Sequence, residues 1–178
     1  MIVIFLQTPA YRDTVQGCDD LGTFEAFTDR VLAGYQSYVD ALSPLRAEIA
    51  HVGMAYRHVR QTNVDLWRRL YAPDDFHPSP HGTWLQACVL YYSIWGAHDR
   101  PPLRYSAALW KSTRYFAPNA EQDGNDDDRL PAFPTTDEAM LLADVAWKIQ
   151  CEYSQTKTGA EHDGADGGGN DPSPNANL

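Results

Sequence analysis

The apolar positions of the chain change period several times, and each change marks an element. Ile2 to Leu6 is an unbroken β-branched and aromatic run, ended by Gln7, Thr8 and Pro9. A run of that length without alternation predicts a strand buried on both faces, the kind found in parallel sheets. Its outer edge would present open main-chain groups unless something pairs with it. Tyr11–Gly22 is polar and reads as a loop. Thr23 is a good N-cap, and Glu25 suits the first turn of the helix it opens. Phe24, Phe27, Val31, Tyr35, Tyr38 and Leu42 then recur at helical spacing, and Ser43-Pro44 stops the pattern. Glu48–Gly53 predicts a second short strand. Strand, helix, strand implies a parallel, right-handed crossover.

Met54–Arg60 and Val64–Tyr71 predict two short helices. Gly82–Trp95 predicts the strongest helix of the chain. Only Thr83, Gln86 and Ser93 are polar in it, so it is expected to need packing partners all round. Pro101-Pro102 breaks the pattern. Leu103–Phe116 predicts a short helix, and Asn119–Arg129 a solvated acidic loop. Thr135 and Glu138 have the spacing of a capping box. They open a last helix whose apolar stripe is Leu142, Val145, Ala146 and Ile149. No internal repeat is visible.

Length and composition narrow the picture. A chain of 178 residues predicts one domain, and 43% hydrophobic content is enough to build a core. The net charge of −10 argues against nucleic acid or an anionic membrane as partner, since both reward clustered Lys and Arg. Residues 155–178 contain no aromatic residue and no Ile or Val, and they include Gly167, Gly168 and Gly169. That composition buries too little surface to offset ordering, so a disordered acidic tail is expected after a domain at 1–154. Cys18, Cys88 and Cys151 are odd in number and widely spaced, which suits neither a disulfide framework nor a metal knuckle. The apolar start is too short for a signal peptide or a membrane span. The compartment is not readable from the chain.

The chemistry concentrates at Asp74-Asp75-Phe76-His77-Pro78-Ser79-Pro80-His81-Gly82-Thr83. Asp-x-x-His alone is a common spacing. Here, however, Pro78 and Pro80 bias His77 and Ser79 away from helical backbone. His77 therefore projects from a stiff loop ahead of a helix that Ser79 or Gly82 would cap. A carboxylate that orients an imidazole fixes its tautomer and stabilises the imidazolium, the two needs of a general base beside a serine.

Other readings of these residue types are weaker. His77 and His81 are spaced as in zinc helices, but that spacing converges only on a helix, which the prolines disfavour. Asp123, Asn125 and Asp127 outline a calcium loop that lacks Gly at its sixth position and Glu at its twelfth. No metal or organic cofactor is expected. Cys88 lies in an apolar helix and reads as a small hydrophobe, and nothing supplies a base for Cys18. His51 reads as a core or strand-end residue; His58, His98 and His162 read as surface.

The run from Leu70-Tyr71 through Asp74, His77, Pro78, Ser79, Gly82 and Trp84-Leu85 resembles the last conserved block of the SGNH hydrolases, the GDSL-type esterases and lipases. Ile2–Arg12, Phe24–Leu42, Ile49–Tyr56 and Met140–Trp147 are similar to later parts of the same domain. The resemblance implies a three-layer α/β/α fold with a parallel sheet, flavodoxin-like and truncated on its N-terminal side. It implies His77 as general base, Asp74 as its orienting partner, and a small ester or acylated substrate. Asp75 stands where the family often has Gly.

The family's Gly-Asp-Ser nucleophile block and its Gly and Asn oxyanion blocks are not found, so no nucleophile is identified. The chain is expected to supply the Asp–His part of a Ser-His-Asp centre, with the serine in a missing N-terminal half. The alternative expectation is a non-catalytic remnant or interaction module built on the same fold.

Overall fold

In the computed structural model the described residues are 2–12, 19–96, 103–106 and 132–160. The expected Asn119–Arg129 loop, most of Leu103–Phe116, Cys18, His98 and His162 lie outside them. The architecture is mixed α/β and mostly helical. β1 (Val3–Leu6) is followed by a single 3₁₀ turn at Asp19–Leu21, α1 (Phe24–Ala41) and β2 (Ala47–Ala50). Then come α2 (Val52–Thr62), α3 (Val64–Arg69), α4 (Pro80–Trp95) and α5 (Thr136–Ala160).

β1 and β2 pair in parallel, in a register running from Val3 opposite Ala47 to Leu6 opposite Ala50. The crossover between them is α1, as the pattern predicts. Thr23 caps α1 by accepting the Ala26 N–H at 3.2 Å. The rings of Tyr35 and Tyr38 pack on Phe5, which puts α1 on one face of the sheet. Ile4 points the other way and joins the core. α1 itself is thinly covered: among its apolar stripe only Phe24 is buried, and Tyr38 is exposed.

Several boundaries differ from expectation, among them those of β2, α4 and α5. β2 ends at Ala50, and Val52 and Gly53 open α2 instead of extending the strand to Gly53. The apolar run is shared because both elements are buried there, so period alone could not divide it. α4 begins at Pro80, not Gly82. Ser79 is its N-cap, accepting the N–H of His81 and Gly82 at 3.1 and 3.3 Å, with proline at the first helical position. α5 runs to Ala160, six residues past the expected end of the domain at 154.

α4 and α5 form the centre of the core. The Trp84 indole N–H donates to the Ala139 carbonyl at 2.7 Å, and Ser93 donates to Gln150 at 3.1 Å. Leu85, Val89, Tyr92, Leu142, Ala143 and Ala146 are fully or almost fully buried between the helices and their neighbours. The expectation that α4 is covered all round is not met. Ala87 is exposed, and Ile94 and Trp95 at its end are 55% and 67% exposed. Ser93, polar by type, is buried instead because its hydroxyl is satisfied by Val89 and Gln150.

The capping box at the start of α5 is formed. Glu138 accepts the Thr135 N–H at 2.9 Å, and Thr135 Oγ1 accepts the Glu138 N–H at 3.3 Å. No helix among the described residues is long and apolar enough to cross a membrane.

Candidate active site

Residues 70–79 fold back on themselves between α3 and α4. Tyr71 and Pro78 form an isolated antiparallel bridge, the Ala72 N–H donates to the His77 carbonyl at 2.8 Å, and the Ser79 N–H to the Leu70 carbonyl at 3.0 Å. Asp74 stands at the tip. Its Oδ1 accepts the N–H of Phe76 and His77 at 3.0 and 2.9 Å. Its Oδ2 lies 2.6 Å from His77 Nδ1. One carboxylate thus shapes the turn with one oxygen and orients the imidazole with the other.

The hydrogen bond from His77, with those from the His77 and Phe76 main chain, holds the Asp74 carboxyl down at about 2. Asp74 is therefore ionised at neutral pH and can only accept. His77 Nδ1 is therefore the donor in that contact. The His77 side chain is 66% exposed. The structure thus brings together the two residues that sequence singles out, Asp74 and His77.

The loop is held from outside by the segment leaving the carboxyl end of β1. The Arg12 N–H donates to the Asp75 carbonyl at 3.2 Å, and its guanidinium pairs with the Asp75 carboxylate. Arg12 also lies over the Trp67 ring at 5.8 Å. Tyr71 donates its hydroxyl to the Ala10 carbonyl at 2.8 Å. Tyr11 packs on Phe76 at 4.4 Å, and Phe76 meets His77 edge-on at 4.5 Å. Asp75 has φ of 60°. That is the left-handed region, where glycine is at ease and Asp is tolerated.

The nearest serine is committed elsewhere. Ser79 Oγ donates to the Arg69 carbonyl while capping α4, so it is not a nucleophile for His77. His81 turns inward, away from His77's exposed position. It is 2% exposed and meets Glu138 at 3.3 Å, with Arg69 on the same carboxylate. The two histidines do not share a site. Among the described residues no group of three or more His, Cys, Asp or Glu is placed to hold a metal.

Sequence reasoning missed both the Glu138–His81 pair and the Arg12–Asp75 clasp. Glu138 was legible as a cap, but a partner 57 residues away leaves no local signal. Cys88 is buried, and burial pushes its thiol up to about 12, which makes it inert at neutral pH. His51 is buried at the head of α2 and stacks on Tyr153 at 4.0 Å, as its reading as a strand-end residue suggests. His58, expected at the surface, is half-buried, and burial lowers its pKa.

Comparison with protein-family models, curated proteins and solved structures finds no match to this chain.

Proposed function

We propose that this chain carries the Asp–His half of an SGNH-type ester hydrolase centre. Asp74 orients and balances the charge of His77, and His77 Nε2 takes the proton of a serine attacking an ester carbonyl. His77 later returns that proton to the leaving alcohol, so acyl transfer ends on water. The serine and its oxyanion donors come from a segment other than the residues described. A three-layer α/β/α sheet domain is the complete form of the fold under this reading. The observation that carries it is the 2.6 Å contact between Asp74 Oδ2 and His77 Nδ1 in a loop that leaves the His77 side chain exposed. The sequence resemblance at Leu70–Leu85 supports the same assignment.

The test uses the chain as it stands. An accessible, oriented imidazole accelerates hydrolysis of 4-nitrophenyl acetate without a serine. Wild type is expected to exceed His77→Ala, with Asp74→Asn between them. Equal rates for wild type and His77→Ala would sink the assignment of His77 as the base. A fluorophosphonate probe is expected to label no serine of this chain. Labelling that is lost on replacing one serine would instead place the nucleophile within it.

A further inference from the structure

β1 is the more apolar of the two strands and the less buried. Val3, Ile4 and Phe5 are half-buried and Leu6 is exposed, whereas Ala47, Ile49 and Ala50 of β2 are buried. The helices explain the difference, since α1 and α4 pack more closely on β2 than on β1. The main chain shows which groups are left over. In a parallel pair, alternate residues of a strand turn both N–H and C=O toward the same neighbour. The Val3 N–H donates to the Arg46 carbonyl and the Gln7 N–H to the Ala50 carbonyl, each at 3.0 Å. Val3, Phe5 and Gln7 therefore face β2. Ile2, Ile4 and Leu6 turn their main-chain groups to the opposite edge, where no third strand pairs among the described residues. Ile2 and Leu6 are 41% and 40% exposed. Proline, Lys or an inward charge would blunt such an edge, and none occurs from Ile2 to Leu6.

We infer that this edge is a two-fold interface, in which the β1 strands of two copies of this chain pair antiparallel about Ile4. Each copy would add its two strands to one continuous sheet, and the serine-bearing segment of the proposed hydrolase domain would compete with the second copy for this edge. The occupant follows from the pattern. About Ile4, Ile2 of one copy faces Leu6 of the other at both ends. All three pairs are then of the hydrogen-bonded kind, so every outward N–H and C=O of Ile2, Ile4 and Leu6 is used. Centring the two-fold on Phe5 would instead set Ile2 opposite Thr8, beyond the end of β1.

The surface is self-complementary, as a two-fold contact requires. Apolar meets apolar at each position. The strand carries no charge, so the symmetry brings no like charges into contact despite the chain's net −10. On the same face Ile2 borders a cavity of about 530 Å³ together with Ile94 and Trp95. The partner's Leu6 would lie beside that exposed apolar rim.

The experiment is sedimentation of the full chain up to about 200 μM, a range that reveals interfaces of small area. A dimer is expected. It should strengthen with added salt, because screening relieves the repulsion between two acidic copies. Leu6→Lys is expected to raise Kd by about tenfold or more, since it places a charge in the edge. Trp95→Ala, beside the strand and not in it, is expected to weaken the dimer less than Leu6→Lys.

Cross-linking fixes the register independently of any effect on folding. With Cys18 and Cys151 changed to Ser, a mixture of Ile2→Cys and Leu6→Cys chains should form a disulfide far faster than either variant alone. The Cα separation of a hydrogen-bonded antiparallel pair, about 5.5 Å, suits that bond. A chain that stays monomeric overturns the proposal. So does a dimer that survives Leu6→Lys but is lost on Trp95→Ala, or Ile2→Cys chains that cross-link to themselves as readily as to Leu6→Cys.

Discussion

Single residues carry most of the local argument, and Asp75 shows how. Its φ of 60° is a position where glycine costs nothing and a residue with Cβ is strained. What Asp gains in return is the Arg12 pair, part-buried and backed by the Trp67 ring. Asp75→Gly therefore loses the pair but relieves the backbone, while Asp75→Ala loses the pair and keeps the strain. Asp75→Ala is expected to be about 1 kcal/mol less stable than Asp75→Gly in urea unfolding. Equal stabilities would mean that the backbone there relaxes. Asp74 and His77 were legible because proline, turn chemistry and spacing are local. Arg12 was not, because its partner lies 63 residues away and nothing near Arg12 marks it.

Among the elements, α4 was the clearest from sequence and still surprising in two respects. Its existence follows from apolar content, but its start at Pro80 lies two residues ahead of the expected Gly82. Its openness at Ile94 and Trp95 does not follow from content, because content reports what a helix can bury and not what is there to cover it. Gly82, read from sequence as the alternative cap to Ser79, lies instead inside α4 at a close approach. A Cβ there would collide with the Leu70 carbonyl and the Tyr56 hydroxyl. The Leu70 carbonyl is fixed by the Ser79 N–H, so the collision is with backbone that cannot step aside. Gly82→Ala is expected to destabilise the protein by about 3 kcal/mol, measured as a lower denaturation midpoint at unchanged slope.

For the molecule as a whole, the crossover and the parallel pair were legible, but the weight of the fold was not. Most of the core lies between α4 and α5, whose contacts join residues far apart in the sequence and leave no periodic trace. The junction at Arg69, His81 and Glu138 ties three helices together there. Burial lowers the pKa of His81, against the opposing pull of Glu138. Burial raises Glu138, but the Thr135 N–H, Arg69 and His81 outweigh it and hold it at about 2. A histidine with a depressed folded pKa takes up its proton more readily when unfolded. Its contribution is thus complete above the unfolded value of about 6.5 and is lost as pH falls below that. His58 has the same sign. The melting temperature is expected to drop between pH 7 and pH 5, and His81→Gln should flatten that drop without abolishing it. An unchanged slope in His81→Gln would exclude the junction as its source.

The strap from Gln7 to Arg12 joins the sheet to the turn that carries Asp74 and His77. It begins where β1 ends and finishes on Asp75, the neighbour of Asp74. The imidazole is therefore geared to the strand. A shift of β1 would bear on Arg12 and, through the Arg12–Asp75 clasp, on the turn that holds Asp74 and His77. By linkage the gearing runs both ways. Under the proposed function, whatever grips the strand would also bear on the imidazole, and whatever binds the imidazole would be felt along the strand.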